Sequence, residues 1–151
     1  MKLSTRARYA LRMMIDIARN GDADRSVSLR EVSERTGISR GYLEQLALTL
    51  RNARILRSSA GRFGGYRLAR PADEITLGDI VEASIGAIRI VDCVEDPDSC
   101  PRKDCCECRL VYRLINRRIA EVLQGLSLAD LLDPGWAGEV EGAMDAALLP
   151  P

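Results

Sequence analysis

All five cysteines of the chain lie in one short stretch, "CVEDPDSCPRKDCCEC", which covers residues 93–108. They are Cys93, Cys100, Cys105, Cys106 and Cys108. Thiolates are soft ligands for iron–sulfur clusters and zinc, and neighbouring thiols also undergo disulfide or sulfenate chemistry. Pro97, Pro101 and the lack of a periodic apolar pattern predict a flexible loop in which several sulfurs can converge. The stretch therefore predicts a metal centre or a redox switch.

The composition narrows the possible chemistry. The chain has 151 residues and no histidine, which excludes imidazole bases and histidine zinc ligands. No apolar run approaches the roughly 20 residues that cross a bilayer, and the N-terminal region is too charged for a secretory signal. We therefore expect a cytoplasmic protein without a membrane segment, in which clustered cysteines favour metal or redox chemistry over structural disulfides. The sequence contains no convincing catalytic pair, so neither an enzyme nor a small-molecule substrate is expected.

The zero net charge conceals an uneven charge distribution. Residues 1–71 carry 15 cationic and 6 anionic side chains, whereas residues 72–151 carry 7 and 16. In the first half 14 of the 15 cations are arginines, and several lie beside turn and helix-cap signals. Scattered arginines usually solvate helix faces, but this concentration favours a polyanion-binding surface with nucleic acid as its partner.

Three helices are predicted in the basic half. Ser28 and Glu31 have the spacing of a capping box for a short second helix that ends at Gly37, and Ser39 is placed to cap a third helix. The apolar positions at helical spacing are Tyr9, Met13, Met14 and Ile17 in the first helix and Leu43, Leu46, Ala47 and Leu50 in the third. Two short helices joined by the tight turn "TGIS" predict a helix-turn-helix.

A β-hairpin is predicted directly after the third helix. The segments "ILRSS" and "YRLAR" have strand character and flank the glycine-rich turn "AGRFGG". A hairpin in this position is the wing of a winged helix-turn-helix, with Arg62 at its tip for a minor groove or a phosphate. The alternative is an ordinary edge hairpin with a solvated arginine. We predict a mainly α fold with a small β-hairpin wing.

A long amphipathic helix is predicted after the cysteines. Its apolar stripe contains Leu110, Leu114, Ile115, Ile119, Val122 and Leu123. The stripe would pack on the winged domain in a monomer or form a twofold interface in a dimer, with Arg113 and Arg117 outside it. The expected organisation is a DNA-binding domain over 1–83, a linker and sensor loop over 84–108, a dimerisation helix region over 109–133 and a tail over 134–151.

Several segments together carry a family resemblance. They are "ERTGISRGYLEQL", "GRFGGYRLARP", "ITLGDIVEA" and a three-cysteine loop ahead of a long helix. They resemble the IscR, NsrR, RirA and CymR family of dimeric bacterial transcriptional regulators, often called the Rrf2 family, from Met1 to about Leu132. The resemblance implies a homodimer that presents two recognition helices to half-sites about one helical turn apart in dyad-symmetric promoter DNA.

The resemblance implies DNA contacts at the start of the third helix. The positions that it places there are Ser39, Arg40, Tyr42, Glu44 and Gln45, and we add Ser28, Gly41, Arg51, Arg62 and Gly64 as candidate DNA-binding residues. Glu44 is expected to accept a hydrogen bond from a cytosine amino group, and the alternative is a bond within the protein to Arg40 or Arg51. The wing departs from IscR, because Ala60 stands where IscR has an arginine.

The resemblance also implies that Cys93, Cys100 and Cys106 hold an iron–sulfur cluster, 2Fe-2S or 4Fe-4S, that reports iron supply, redox state or nitric oxide. The family's fourth ligand is missing. IscR-like members have a histidine where this chain has Arg109, and NsrR-like members have an aspartate where it has Arg8. Cys108 is the expected substitute and Cys105 the alternative, with Glu107, Asp104 or an external ligand as further options. A cluster-free thiol switch of the CymR type and a structural zinc site are the competing readings.

Overall fold

The computed structural model describes residues 3–22, 24–61, 64–102 and 105–147. These residues contain six α-helices and one two-stranded antiparallel hairpin. The helices are α1 (Thr5–Asn20), α2 (Leu29–Thr36), α3 (Arg40–Asn52), α4 (Leu77–Ile85), α5 (Glu107–Gly125) and α6 (Trp136–Ala147), and the strands are β1 (Leu56–Ser59) and β2 (Gly65–Leu68). The predicted mainly α fold with a hairpin wing is confirmed. Arg62 at the wing tip and Asp104 in the cysteine stretch lie outside the described residues.

One hydrophobic core joins α1, α3 and α4. Its largest side chains that are at most 1% exposed are Met13, Met14, Ile17, Leu43, Leu46, Leu50, Ile75, Ile80 and Leu128. The apolar positions predicted from helical spacing in α1 and α3 are therefore core positions, except that Tyr9 is only half-buried. Because α3 places one face in this core, its opposite face must lie outside.

The turn between α2 and α3 is built by local signals. The backbone amide of Ser28 donates to the Glu31 carboxylate at 2.8 Å, and the Glu31 amide donates to the Ser28 hydroxyl at 3.3 Å, which completes the predicted capping box. Gly37 ends α2 with φ 72°, a left-handed conformation that glycine adopts without steric cost. Ser39 is the N-cap residue of α3, but its side chain caps none of the described amides.

An ion pair fastens α2 to α1. Arg35 donates through Nε and Nη2 to the two carboxylate oxygens of Asp16, each at 2.8 Å. This two-point geometry raises the pKa of Arg35, chiefly through the hydrogen bond to Asp16. The helix-turn-helix is therefore held to α1 at its α2 end as well as through the core.

The wing is attached to the segment that precedes α2. In the hairpin Leu56 lies opposite Leu68, and Ser59 lies opposite Gly65. Val27 exchanges two backbone hydrogen bonds with Tyr66, at 2.9 and 2.8 Å. A side chain at Gly65 would collide with the Val27 carbonyl, so a glycine is needed where the strand crosses this backbone.

The C-terminal end of α5 is fastened to the start of α4. Thr76 and Asp79 form a second capping box, and the Thr76 hydroxyl also donates to Gln124 Oε1 at 2.8 Å. The Leu77 amide donates to the Leu126 carbonyl at 2.9 Å. The helix α6, which the sequence analysis did not anticipate, packs on the short 3₁₀ turn Asp130–Leu132.

We expect Ser28→Ala to lower the free energy of unfolding by about 0.5–2 kcal/mol, since it removes an N-cap side chain. The hydrogen bonds from the Ser28 amide and hydroxyl hold the pKa of Glu31 below the ordinary glutamate value of 4.5. The destabilisation should therefore be complete above pH 4.5 and shrink as the pH falls through the lowered pKa. Urea unfolding of parent and variant over a pH series measures it. Ser58→Ala, at an exposed serine of β1, is the control, and equal stabilities of all three proteins would contradict the capping role.

Candidate nucleic-acid interface and cysteine loop

The outer face of α3 and of its N-terminal turn is open. The exposed residues of this segment are Ser39, Arg40, Gly41, Glu44, Gln45, Leu48, Arg51 and Asn52. Six of them are candidate DNA-binding positions from the sequence, and the other two are Leu48 and Asn52. A convex, exposed helix face of this kind fits a major groove, which is roughly 12 Å wide.

Arg40 and Glu44 pair with each other on this face. Arg40 Nε lies 3.0 Å from Glu44 Oε1, and the two side chains are 68% and 54% exposed. The contact is the bond within the protein that the sequence analysis gave as the alternative for Glu44. An exposed pair of this kind contributes only about 0–1 kcal/mol to stability. At little cost, Arg40 can therefore leave the pair for a phosphate or a base, and Glu44 can leave it for a base.

Tyr42 faces the protein more than the solvent. Its ring is half-buried and meets the Tyr9 ring edge to face, with centroids 5.7 Å apart and an interplanar angle of 85°. The Arg12 guanidinium lies over the other ring of this pair, 5.9 Å from the Tyr9 centroid. These contacts hold the first turn of α3 on α1, so Tyr42 positions the helix whatever it contacts outside.

Ser28 and Gly64 have backbone roles in the structure. The Ser28 hydroxyl is engaged with Glu31 in the capping box. A side chain at Gly64 would collide with the Ser59 carbonyl, and the Gly64 amide donates to the carbonyl of Gly61, whose φ is 108°. Both residues shape the elements that flank α3, and the backbone amides of both are engaged within the protein.

Leu48 was missed by the sequence analysis. Its side chain is 51% exposed, one helical turn beyond Glu44, on a helix whose other leucines are buried. An apolar side chain on such a face can contact a thymine methyl group. The signal was present in the spacing, because position 48 falls on the outer side of the helix that buries Leu43, Leu46 and Leu50.

The cysteine loop runs from α4 to α5 through two short 3₁₀ turns, Asp92–Val94 and Pro97–Ser99. Cys106 is the N-cap residue of α5, and Cys108, predicted in the loop, lies in the first turn of that helix. All five thiols are free; those of Cys93, Cys100 and Cys106 are half-buried and those of Cys105 and Cys108 are exposed.

The thiols have the ligand chemistry of an iron–sulfur cluster but not its arrangement. Among the described residues, no three cysteine or carboxylate side chains are gathered where one metal ion could be held. Cys106 precedes α5 with an extended backbone, φ −92° and ψ 102°, whereas Cys108 belongs to the first helical turn. Cluster binding therefore requires the cysteine loop to rearrange.

Two side chains of α5 hold the cysteine loop. Arg109 Nε donates to the Cys93 carbonyl at 3.1 Å, and the buried Asn116 accepts from the Ile90 amide through Oδ1 at 3.0 Å. Arg109 occupies the position where the IscR-like pattern has its histidine. Here that position binds the loop backbone beside the first cysteine.

Comparison with known proteins identifies the family and agrees with the winged-helix fold. The model of the family Rrf2, described as iron-dependent transcriptional regulator, matches residues 3–134. The chain belongs to the Rrf2 family. It is 39% identical over 132 residues to Protein rrf2 of Nitratidesulfovibrio vulgaris, which covers 87% of each protein. The CymR structure of Bacillus subtilis, described as the global cysteine regulator, has a TM-score of 0.70 at 36% identity and covers 87% of this chain and 95% of CymR. The structure of T. potens IscR has a TM-score of 0.72 at 31% identity and covers 100% and 94%.

Membership of the Rrf2 family makes the chain a transcriptional regulator and not an enzyme. In the part of the chain that the structure describes, no helix is long and apolar enough to span a membrane. The relatives include both IscR and CymR proteins, so the family alone leaves the chemistry of the cysteine loop open.

We expect Arg40→Ala to weaken duplex binding and to make log Kd less steep against log salt by about one, because a lost phosphate contact releases one counterion fewer. Fluorescence anisotropy of a labelled duplex over a salt series measures the slope. Arg30→Ala is a matched control, since Arg30 forms the same i,i+4 pair with Glu34, at 2.9 Å, on α2. An unchanged slope for Arg40→Ala would remove Arg40 from the DNA backbone.

Proposed function

We propose that the chain is a cytoplasmic, homodimeric DNA-binding regulator whose cysteine loop holds an iron–sulfur cluster and reports iron supply, redox state or nitric oxide. The observation that carries this proposal is the place of the loop. It connects α4, which packs against the recognition helix α3, to α5, which carries an exposed apolar face. A change in the loop would therefore act on both elements that decide how a dimer meets DNA.

The DNA-binding part of the proposal rests on α3 and its charge. Arg40 reaches a phosphate or a guanine, Glu44 accepts from a cytosine amino group, and Gln45 suits an adenine. The basic half of the chain, with 15 cations against 6 anions, supplies the electrostatic attraction that is independent of sequence. A twofold dimer would present two copies of α3 to a dyad-symmetric operator.

The dimer rests on the apolar face of α5. Its exposed members are Leu110, Val111, Leu114, Ile115 and Val122, with exposures of 69%, 54%, 58%, 40% and 60%. Leu123 lies on the other side of the helix and packs against the core of the winged domain. An apolar surface of this kind on a helix marks an interaction site, and a second copy of the same helix is its natural complement.

We expect Leu114→Glu to convert the dimer into a monomer, because it places a charge at the centre of the apolar face of α5. Sedimentation equilibrium should give the mass of two chains for the parent and of one chain for the variant. Arg113→Glu, one position earlier and outside the stripe, is the control and should stay dimeric. A dimeric Leu114→Glu protein would move the interface away from α5.

The cluster ligands that we propose are Cys93, Cys100 and Cys106, with Cys108 as the fourth and Cys105 as the alternative. The bound cluster would supply electron-transfer and ligand-exchange chemistry, and four thiolates would give it a lower potential than a set that includes a histidine. In this proposal the first turn of α5 unwinds to bring Cys108 beside Cys106. Asn116, which lies further along α5, would keep the start of the loop at Ile90 in place during this change.

A thiol switch is the second candidate. It is favoured by the five free thiols, two of them exposed, in a loop whose described residues do not form a metal site. It would use disulfide or sulfenate formation in place of a cluster. The metal content of the protein separates the two candidates, and zinc is the third possible result.

We expect protein isolated without oxygen to be brown and to contain iron and acid-labile sulfide. Alanine at Cys93, Cys100 or Cys106 should abolish the visible absorbance, because each removes a ligand. Cys108→Ala and Cys105→Ala form a matched pair, and only the variant that removes the fourth ligand should change the spectrum. Colourless protein with stoichiometric zinc would contradict the cluster, and colourless protein without metal would favour the thiol switch.

A further inference from the structure

Arg6, in the first turn of α1, joins two other helices. Its Nε donates to the Ser84 carbonyl of α4 at 2.6 Å, and its Nη2 donates to the Thr49 hydroxyl of α3 at 2.9 Å. The two partners are 78 and 43 residues away along the chain. One guanidinium therefore fixes the distance between the end of α4 and the recognition helix.

On α4, Arg6 occupies the exit toward the cysteine loop. The Ser84 carbonyl is among the last four of the helix, which have no partner within it, and a positive charge beside it is favourable for the helix dipole. Ser84 is only 5% exposed, so this carbonyl depends on a partner from the protein. The chain leaves α4 at Gly86 and is held to Asn116 again at Ile90. Only a few residues therefore separate the start of the loop from the helix end that Arg6 caps.

On α3, Arg6 acts on the segment that faces DNA. The Thr49 hydroxyl accepts from Arg6 and donates to the Gln45 carbonyl at 2.8 Å. Gln45 is one turn earlier on the outer face of α3. The hydrogen-bonded path thus runs from the loop exit through Ser84, Arg6 and Thr49 to the backbone of a residue at the candidate DNA surface.

We propose that Arg6 is the positioning residue through which the state of the cysteine loop changes the placement of α3 and hence DNA affinity. This inference rests on the proposed sensing role of the loop, but not on the kind of chemistry that occurs there. A planar guanidinium can hold both partners at once, whereas a lysine ammonium is a single point on a flexible stem. Arg6 touches neither the DNA surface nor a thiol, so it would act only through the two helices that it joins.

The chain allows a perturbation confined to one region, because every cysteine lies in the loop or in the first turn of α5 that follows it. Alkylation of cluster-free protein with N-ethylmaleimide therefore modifies only the loop and this turn, and leaves α1, α3 and α4 unmodified. The variants are Arg6→Lys, which keeps the charge, and Thr49→Val, which keeps the shape but removes the hydroxyl. Arg8→Lys is the control, since the side chain of Arg8 bonds to Thr5 within α1. Each protein is compared before and after alkylation, with a duplex that the parent selects from a random pool.

We expect alkylation to change the Kd of the parent by about 5–150-fold, the usual range of coupling between two sites, and to change amide exchange in α3. The change should fall close to one-fold in Arg6→Lys and Thr49→Val, with thermal unfolding still cooperative, and persist in Arg8→Lys. A full response in both variants would overturn the role of Arg6 and leave the sensing loop standing. An unresponsive parent would overturn both the role of Arg6 and the sensing role of the loop, and would leave DNA binding untouched.

Discussion

The burial of one face of α3 is the constraint on which the rest of the molecule depends. Leu43, Leu46, Ala47 and Leu50 are completely inaccessible to solvent, and each buried leucine contributes about 1.5–3 kcal/mol. Rotating the helix by one residue would expose these side chains and drive Glu44 or Gln45 into the core. Hydrophobic packing therefore sets the rotation of α3 about its axis. The outer face consists of the side chains that this packing leaves exposed.

The same packing explains why several stabilising contacts surround α3. Tyr9 meets Tyr42 at its first turn, the Arg35–Asp16 pair holds the preceding helix, and Arg6 reaches Thr49 near its end. Each support comes from α1 or ends on it. The helix α1 thus supports α3, the proposed DNA-reading helix, and α4 contacts α1 near the point where the cysteine loop begins.

Features encoded within a few residues were predictable from the sequence. The Ser28–Glu31 capping box, the end of α2 at Gly37 and the buried leucines of α3 all follow from local spacing, and the structure contains each of them. The contacts that join distant segments were not predictable. In the sequence Arg6 is one of many arginines in the basic half, and Arg109 only marks the position of an absent histidine ligand. Their partners, the carbonyls of Ser84 and Cys93, come from other segments of the chain. Cys108 was predicted in the loop, but α5 begins before it. Local helix formation there competes with the proposed role of Cys108 as a ligand.

The first turn of α5 would take part in two equilibria, which are ligand binding by the cysteine loop and association of the subunits. Cys108 and Leu110 share this turn, and Leu110 is the most exposed apolar residue of the face proposed to pair with a second copy. A turn of helix is about 5.4 Å long, so recruiting Cys108 as a ligand would shorten the pairing surface by that amount. Ligand binding to the loop and association of the subunits would then be thermodynamically linked, each altering the equilibrium constant of the other by the same factor. The response of the regulator would then depend on its concentration in the cell as well as on the chemical signal. The signal level that gives half of the response would shift as the amount of the regulator rises.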